Sequence, residues 1–144
     1  MSSTPLPALD CLCASFRRAS RALTQHYEEA LRPLALTPTQ FTVLQALART
    51  GPIPQGRLGE ILAIDSTTLT RTLDIMSAHG WIAKSPGKDR RERRVGLARK
   101  GEALLERALP RWEKVQSDLR RRLGAGPWEQ MLQLTHQVTT TVTE

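Results

Sequence analysis

Apolar residues recur every three or four positions at Leu9, Leu12, Phe16, Ala19, Leu23, Tyr27, Ala30 and Leu34. That spacing lines one face of an α-helix, so it predicts a single long helix with one apolar stripe over 9–34. Pro33 falls near its end. The segment Leu36-Thr-Pro-Thr-Gln-Phe41 then carries a full set of helix-start signals. Thr37 serves as N-cap, Pro38 takes the first helical position, Gln40 closes a capping box, and Leu36 with Phe41 forms a hydrophobic staple. The helix they open runs to about Arg49 and is broken by Gly51-Pro52-Ile-Pro54. Leu58, Ile61 and Leu62 mark a short third helix over 55–62. A fourth starts at Asp65, whose carboxylate can accept hydrogen bonds from the free amides of Thr67 or Thr68. It runs to His79 and stops at Gly80, a residue suited to a left-handed cap. At about 100° per residue, Leu73 and Met76 lie close to Leu69 while Thr67, Arg71 and Asp74 fall on the opposite side. One face of this helix is core, and the other offers short hydroxyls and an arginine.

After Gly80 the pattern changes. Trp81-Ile82 and Val95-Gly-Leu97 flank a turn at Pro86-Gly87 and predict a two-stranded hairpin. Helical spacing returns from Gly101 to Leu123 through Leu105, Leu109, Trp112, Val115 or Gln116, and Leu119, with a kink expected at Pro110. Gly124-Ala-Gly-Pro127 ends that helix. Trp128, Met131, Leu132, Leu134 and Val138 line a last one before a Thr-rich tail expected to fray. The apolar stripes at the two ends exceed what a small central lobe can cover, which predicts a twofold partner.

The charge sharpens this picture. Between Lys84 and Lys100 stand eight basic residues (Lys84, Lys88, Arg90, Arg91, Arg93, Arg94, Arg99, Lys100) and two acidic ones (Asp89, Glu92), a net +6 out of +7 for the 144-residue chain. The hairpin tip is therefore a cationic finger suited to a polyanion. No apolar run approaches the ~20 residues of a membrane span, and the N-terminus lacks the basic and apolar regions of a signal peptide. Two cysteines make no disulfide scaffold, so a single cytoplasmic domain over 1–144 is the expectation, with no membrane partner. A metal site is not expected, because zinc needs about four ligands and His26, His79 and His136 are scattered. Without a glycine-rich phosphate loop, a well-placed carboxylate pair or a nucleophile elbow, neither catalysis nor a cofactor is expected.

A short helix, a three-residue turn, a second helix with a polar outer face and a basic hairpin make a winged helix-turn-helix. The second helix suits a major groove, where Ser66, Thr67, Thr68, Thr70 and Arg71 can reach base edges. From the wing, Lys84, Lys88, Arg90, Arg91, Arg93 and Arg94 can follow the phosphates and enter a narrow minor groove. The competing class is a basic RNA-associated protein without sequence-specific DNA readout. RNA readers present aromatics for stacking, and only Trp81 lies near the finger.

Over about residues 9–142 the chain resembles the MarR family of transcriptional regulators. The resemblance rests on Leu36-Thr-Pro-Thr-Gln-Phe41, Asp65-Ser-Thr-Thr-Leu-Thr-Arg71, Gly80-Trp-Ile82, and Asp89-Arg-Arg91 followed by Val95-Gly-Leu-Ala-Arg-Lys-Gly101. It implies a mainly α fold: a lobe over about 36–100 with a small β-hairpin wing, and dimerisation helices over about 9–34 and 101–142. It implies a homodimer on a pseudo-palindromic operator, its reading helices one DNA turn, roughly 34 to 36 Å, apart. Repression is implied too, relieved by a small phenolic or aromatic ligand or by thiol oxidation with an organic hydroperoxide. Asp89 is then expected to orient neighbouring arginines and Arg91 to enter the minor groove. Ala98 stands where the family usually has a capping Thr, and Gly59 where an Ala is usual; both should loosen the element locally.

Counting back from Leu36-Thr37 puts Cys13 where regulators resembling the organic-hydroperoxide sensors carry their reactive cysteine, and Tyr27 where they carry a tyrosine partner. Arg17 replaces a second tyrosine of those sensors. A cysteine near a helix N-terminus has its thiolate favoured by the dipole, whereas a thiol in an apolar stripe is more often inert packing. Cys11 and Cys13 sit two apart and point to different sides, which argues against a mutual disulfide.

Overall fold

A computed structural model describes residues 4–89 and 91–144. Its elements are α1 (Leu12–Leu31), a 3₁₀ turn (Arg32–Leu34), α2 (Pro38–Thr50), β1 (Ile53–Pro54), α3 (Gln55–Leu62), α4 (Ser66–Ala78), β2 (Ile82–Pro86), β3 (Arg93–Leu97), α5 (Arg99–Leu123) and α6 (Ala125–Val142). The capping box at α2 forms as expected: Thr37 Oγ1 accepts from Gln40 N at 3.2 Å, and Gln40 Oε1 accepts from Thr37 N at 3.0 Å.

Four local expectations are corrected. The first helix starts at Leu12 because Cys11 is extended and caps it, Sγ accepting from Ala14 N at 3.5 Å. It tightens into the 3₁₀ turn at Arg32-Pro33-Leu34, where Pro33 has no N–H for the helical ladder. α5 begins at Arg99 and continues through Pro110 to Leu123. α6 begins at Ala125, with Pro127 in the first turn where its missing N–H costs nothing. The Thr-rich tail is helical to Val142, the Thr139 and Thr140 hydroxyls donating to carbonyls one turn back.

The hairpin gains a third strand. β1 lies against β3 in the order β1-β3-β2, all antiparallel, with Ile53 opposite Val95 and Pro54 opposite Arg94. Pro54 lacks an N–H, which an edge strand tolerates. The core forms around α2. Val43, Leu44 and Leu47 pack with Leu58 of α3, Leu69, Leu73 and Met76 of α4, Ile82 and Val95 of the sheet, and Leu104, Leu105 and Ala108 of α5. Phe41 and Trp112 join it with ring centroids 5.8 Å apart. The ends contrast sharply. Of α1 only Leu31 is buried, and of α6 nothing is, leaving Leu12, Phe16, Leu23, Met131, Leu132 and Leu134 exposed on the single chain. Among the described residues no helix is long and apolar enough to cross a membrane.

Candidate nucleic-acid interface

The turn between α3 and α4 is made by Ala63 in the left-handed conformation (φ 51°), with Ile64 N donating to Gly59 O at 3.0 Å. A methyl group on Gly59 would sit 3.3 Å from both Ile64 O and a Leu69 methyl, so glycine relieves a tight crossing here. Asp65 then caps α4, Oδ1 accepting from Thr68 N at 2.9 Å and Oδ2 from the Thr68 hydroxyl at 2.6 Å. The Thr68 hydroxyl first and its backbone N–H second hold the Asp65 carboxyl below its ordinary range. Burying Leu69, Leu73 and Met76 turns Ser66, Thr67, Thr68, Thr70 and Arg71 to solvent, as the periodicity predicts.

These polar side chains differ in what they still offer. The Thr68 hydroxyl is spent on Asp65, and Thr70 Oγ1 donates to Ser66 O at 2.8 Å while accepting from Gln55 Nε2 at 3.2 Å. Among the described residues, the Ser66 and Thr67 hydroxyls and the Arg71 guanidinium make no intramolecular hydrogen bond.

The wing is closed at its tip by Gly87 N donating to Glu92 O at 2.8 Å and Glu92 N donating to Asp89 O at 3.0 Å. Lys88, Asp89, Arg91 and Arg93 are exposed. Asp89 makes no ion pair with another described residue; Arg90 lies outside the described residues. The structure draws two predicted cations inward. Lys84 Nζ pairs with Asp74 Oδ1 of α4 at 2.6 Å, and Arg94 Nη2 donates to Pro52 O at 2.8 Å. Both are half-buried. Sequence reasoning missed Gln55, Asp74 and Pro52 as contributors; each acts through a contact between distant segments that no local pattern announces.

Wing and helix share one concavity. A cavity of about 670 Å³ between them is lined by Gln55, Gly59, Ser66 and Leu69 on one side and Arg91 and Arg93 on the other. At the wing's base, Trp81 O accepts from Ala98 N at 3.0 Å and lies against Gly101, fixing the sheet to α5 where no side chain caps the helix.

Away from this face, Cys11 and Cys13 are free and exposed. Tyr27 donates to Gln116 Oε1 across α1 and α5, and partial burial pushes its phenol up. Cys13 and Tyr27 are both in α1, fourteen residues or roughly 21 Å of helix apart, so they cannot touch within one chain. Among the described residues no three His, Cys, Asp or Glu side chains gather to hold a metal ion.

Two helices joined by a tight left-handed turn, the second with a hydroxyl-rich outer face beside a basic three-stranded wing, define a winged helix-turn-helix protein. A family model described as the MarR family matches residues 36–92. The uncharacterized HTH-type transcriptional regulator YwoH of Bacillus subtilis is 28% identical over 108 residues, 75% of this chain and 79% of that protein. The multiple antibiotic resistance protein MarR of Salmonella typhimurium is 38% identical over 82 residues, 56% of this chain and 57% of that protein. The M. tuberculosis transcriptional regulator MosR, crystallised in complex with DNA, superposes with a TM-score of 0.84 at 33% identity, covering 93% of this chain and 97% of that one. The chain belongs to the MarR family.

Proposed function

We propose that this protein is a cytoplasmic, homodimeric transcriptional regulator that binds a pseudo-palindromic duplex operator and represses transcription until a signal releases it. One observation carries the reading: the exposed wing residues Arg91 and Arg93 line the same concavity as Ser66 at the start of α4, so one duplex can engage both elements. In this reading Ser66, Thr67, Thr70 and Arg71 face base edges, Thr68 helps cap the reading helix, Lys88, Arg90, Arg91 and Arg93 serve the backbone and minor groove, and Asp89 orients the neighbouring arginines. Lys84 and Arg94 mainly brace the wing. That MosR, which superposes on this chain, was crystallised with DNA supports DNA as the partner. The apolar faces of α1 and α6, open on a single chain, support twofold pairing. Nothing in the arrangement calls for catalysis.

An RNA-associated role is disfavoured, because Trp81 already stacks on His79 with centroids 4.4 Å apart. The releasing signal is Cys13 oxidation by an organic hydroperoxide or binding of a small phenolic or aromatic ligand, and the exposure of Cys13 supports the first.

The test is to capture fragments of the source genome on the protein, then titrate the recovered duplex and a structured RNA of equal length at two salt concentrations. Selective, salt-dependent binding of the duplex by a dimer is the expected result; equal affinity for the RNA, or a stable monomer at micromolar concentration, overturns it.

A further inference from the structure

Gln55, the first residue of α3, reaches across the motif to the outer face of α4, its Nε2 donating to Thr70 Oγ1 at 3.2 Å. Thr70 Oγ1 in turn donates its proton to Ser66 O at 2.8 Å. A hydroxyl has one proton and two lone pairs. Here the proton stays within the helix and one lone pair is taken by Gln55, so the exposed Thr70 oxygen offers solvent a single acceptor. The same bookkeeping orients the amide: with the Thr70 proton committed to Ser66, Gln55 must present its NH₂ group. The backbone beneath it is anchored to the wing, because Pro54 is opposite Arg94 on β3 and Arg94 holds Pro52 O.

In the major groove, adenine N6 and cytosine N4 are donors, while guanine N7 and O6, thymine O4 and every phosphate oxygen are acceptors. We infer that Gln55 is a positioning residue for specificity: by occupying one lone pair of a hydroxyl whose proton is held by Ser66 O, it leaves Thr70 a single directed acceptor, which selects a base with a major-groove amino group at one position of each half-site. Guanine, thymine and phosphate are refused there, since an acceptor facing an acceptor leaves both unpaired. This rests on the DNA-binding reading above.

Selection from a randomised duplex library, followed by titration of single-base variants, tests it with the wild type, Gln55→Ala, Thr70→Val and the double variant. The wild type should favour adenine or cytosine at one symmetric pair of positions by roughly ten-fold. Thr70→Val should abolish that preference. Gln55→Ala vacates one lone pair, so the Thr70 oxygen has two open acceptor sites instead of one directed site; this should reduce the preference to within about two-fold, and the double variant should match Thr70→Val. Melting temperature and the salt dependence of binding should stay at wild-type values in all three. A preference that survives Thr70→Val, or a Gln55→Ala variant that weakens every duplex equally, overturns the inference while leaving the DNA-binding reading standing. A wild type with no selectivity for duplex DNA overturns both.

Discussion

Lys84 Nζ lies 2.6 Å from Asp74 Oδ1, an ion pair that joins the first wing strand to the outer face of the reading helix. The lysine side chain retains 21% of its exposure and the aspartate 62%, so the pair is open to water on its acidic side. Its contribution to stability is modest, about 1 kcal/mol or less. Its effect on the surface is larger, because it withdraws one cation from the wing and sets an anion beside the groove-facing helix. Asp74→Asn should therefore raise affinity for nonspecific duplex and steepen the plot of log affinity against log salt by about one phosphate contact. Fluorescence anisotropy at several salt concentrations measures this. An unchanged slope would show that the released lysine does not reach the backbone.

Gly101 has no room for a side chain. A Cβ at this position would lie 1.9 Å from the Trp81 carbonyl oxygen, which also accepts from Ala98 N. The obstacle is backbone, which cannot swing aside as a flexible side chain would. Gly101→Ala should consequently push α5 off the sheet and cost roughly 3 kcal/mol, despite the better helix propensity of alanine. Urea unfolding tests it: a variant as stable as the wild type would show that the sheet and α5 tolerate a wider spacing.

Arg91 and Arg71 should fail differently. Arg91 projects from the exposed wing and Arg71 from the reading helix, and neither has a partner among the described residues. Arg91→Ala should weaken all duplexes similarly and lower the salt slope by about one. Arg71→Ala should instead narrow the gap between operator and scrambled duplex by about 1 to 3 kcal/mol. If Arg71→Ala leaves discrimination intact while the slope falls, that side chain touches backbone.

What could be read from the chain alone followed the range of the interactions. The capping box of Thr37 and Gln40 and the Asp65 cap act within three residues, and the stripe through Leu69, Leu73 and Met76 is periodic, so these helices were legible. β1 was not, being two residues long, half proline, and defined only by its pairing with β3. The charge run gave the wing its sign but treated its cations as equivalent. Only folding brings Lys84 to Asp74 and Arg94 to Pro52, so their divergence from Arg91 and Arg93 has no local signature. The Thr-rich end reads as frayed because β-branched residues are weak helix formers. In the folded chain their hydroxyls bond back along α6.

The Asp65 cap should give α4 an acid-sensitive start. Hydrogen bonds from the Thr68 side chain and backbone lower this carboxyl's folded-state pKa, so its stabilising effect is complete above the unfolded value and disappears as pH falls through the folded one. Asn caps a helix without titrating. The difference in melting temperature between wild type and Asp65→Asn should thus move against the wild type as pH drops through and below the ordinary carboxylate range. A difference independent of pH would place the titrating group elsewhere.

Cys13 lies in the exposed first turn of α1, while Cys11 forms the cap with its sulfur directed at Ala14 N. Both thiolates are near the positive end of the helix, so position alone does not rank them. In a hydroperoxide reaction the thiolate attacks the outer peroxide oxygen, the O–O bond breaks, and the products are a sulfenic acid and the alcohol after proton uptake. If Cys13 is the sensor, an organic hydroperoxide should release operator DNA from the wild type and from Cys11→Ser but not from Cys13→Ser, and intact-mass measurement should find the added oxygen on Cys13. Loss of the response in both single variants would assign the sensing to the two thiols together, the oxidised thiol of one subunit condensing with the thiol of the other, since Cys11 and Cys13 of one chain point to different sides. Release that persists in Cys13→Ser would end the single-cysteine assignment, and persistence in the double variant as well would leave a small aromatic or phenolic ligand as the signal. Because Tyr27 is roughly 21 Å of helix from Cys13, a tyrosine that assists this thiol must come from a second copy of the chain. The oxidation rate of the dimer should then fall in Tyr27→Phe, and mixing Tyr27→Phe with Cys13→Ser subunits should leave each heterodimer's one remaining cysteine facing the other subunit's intact tyrosine, restoring the rate per thiol.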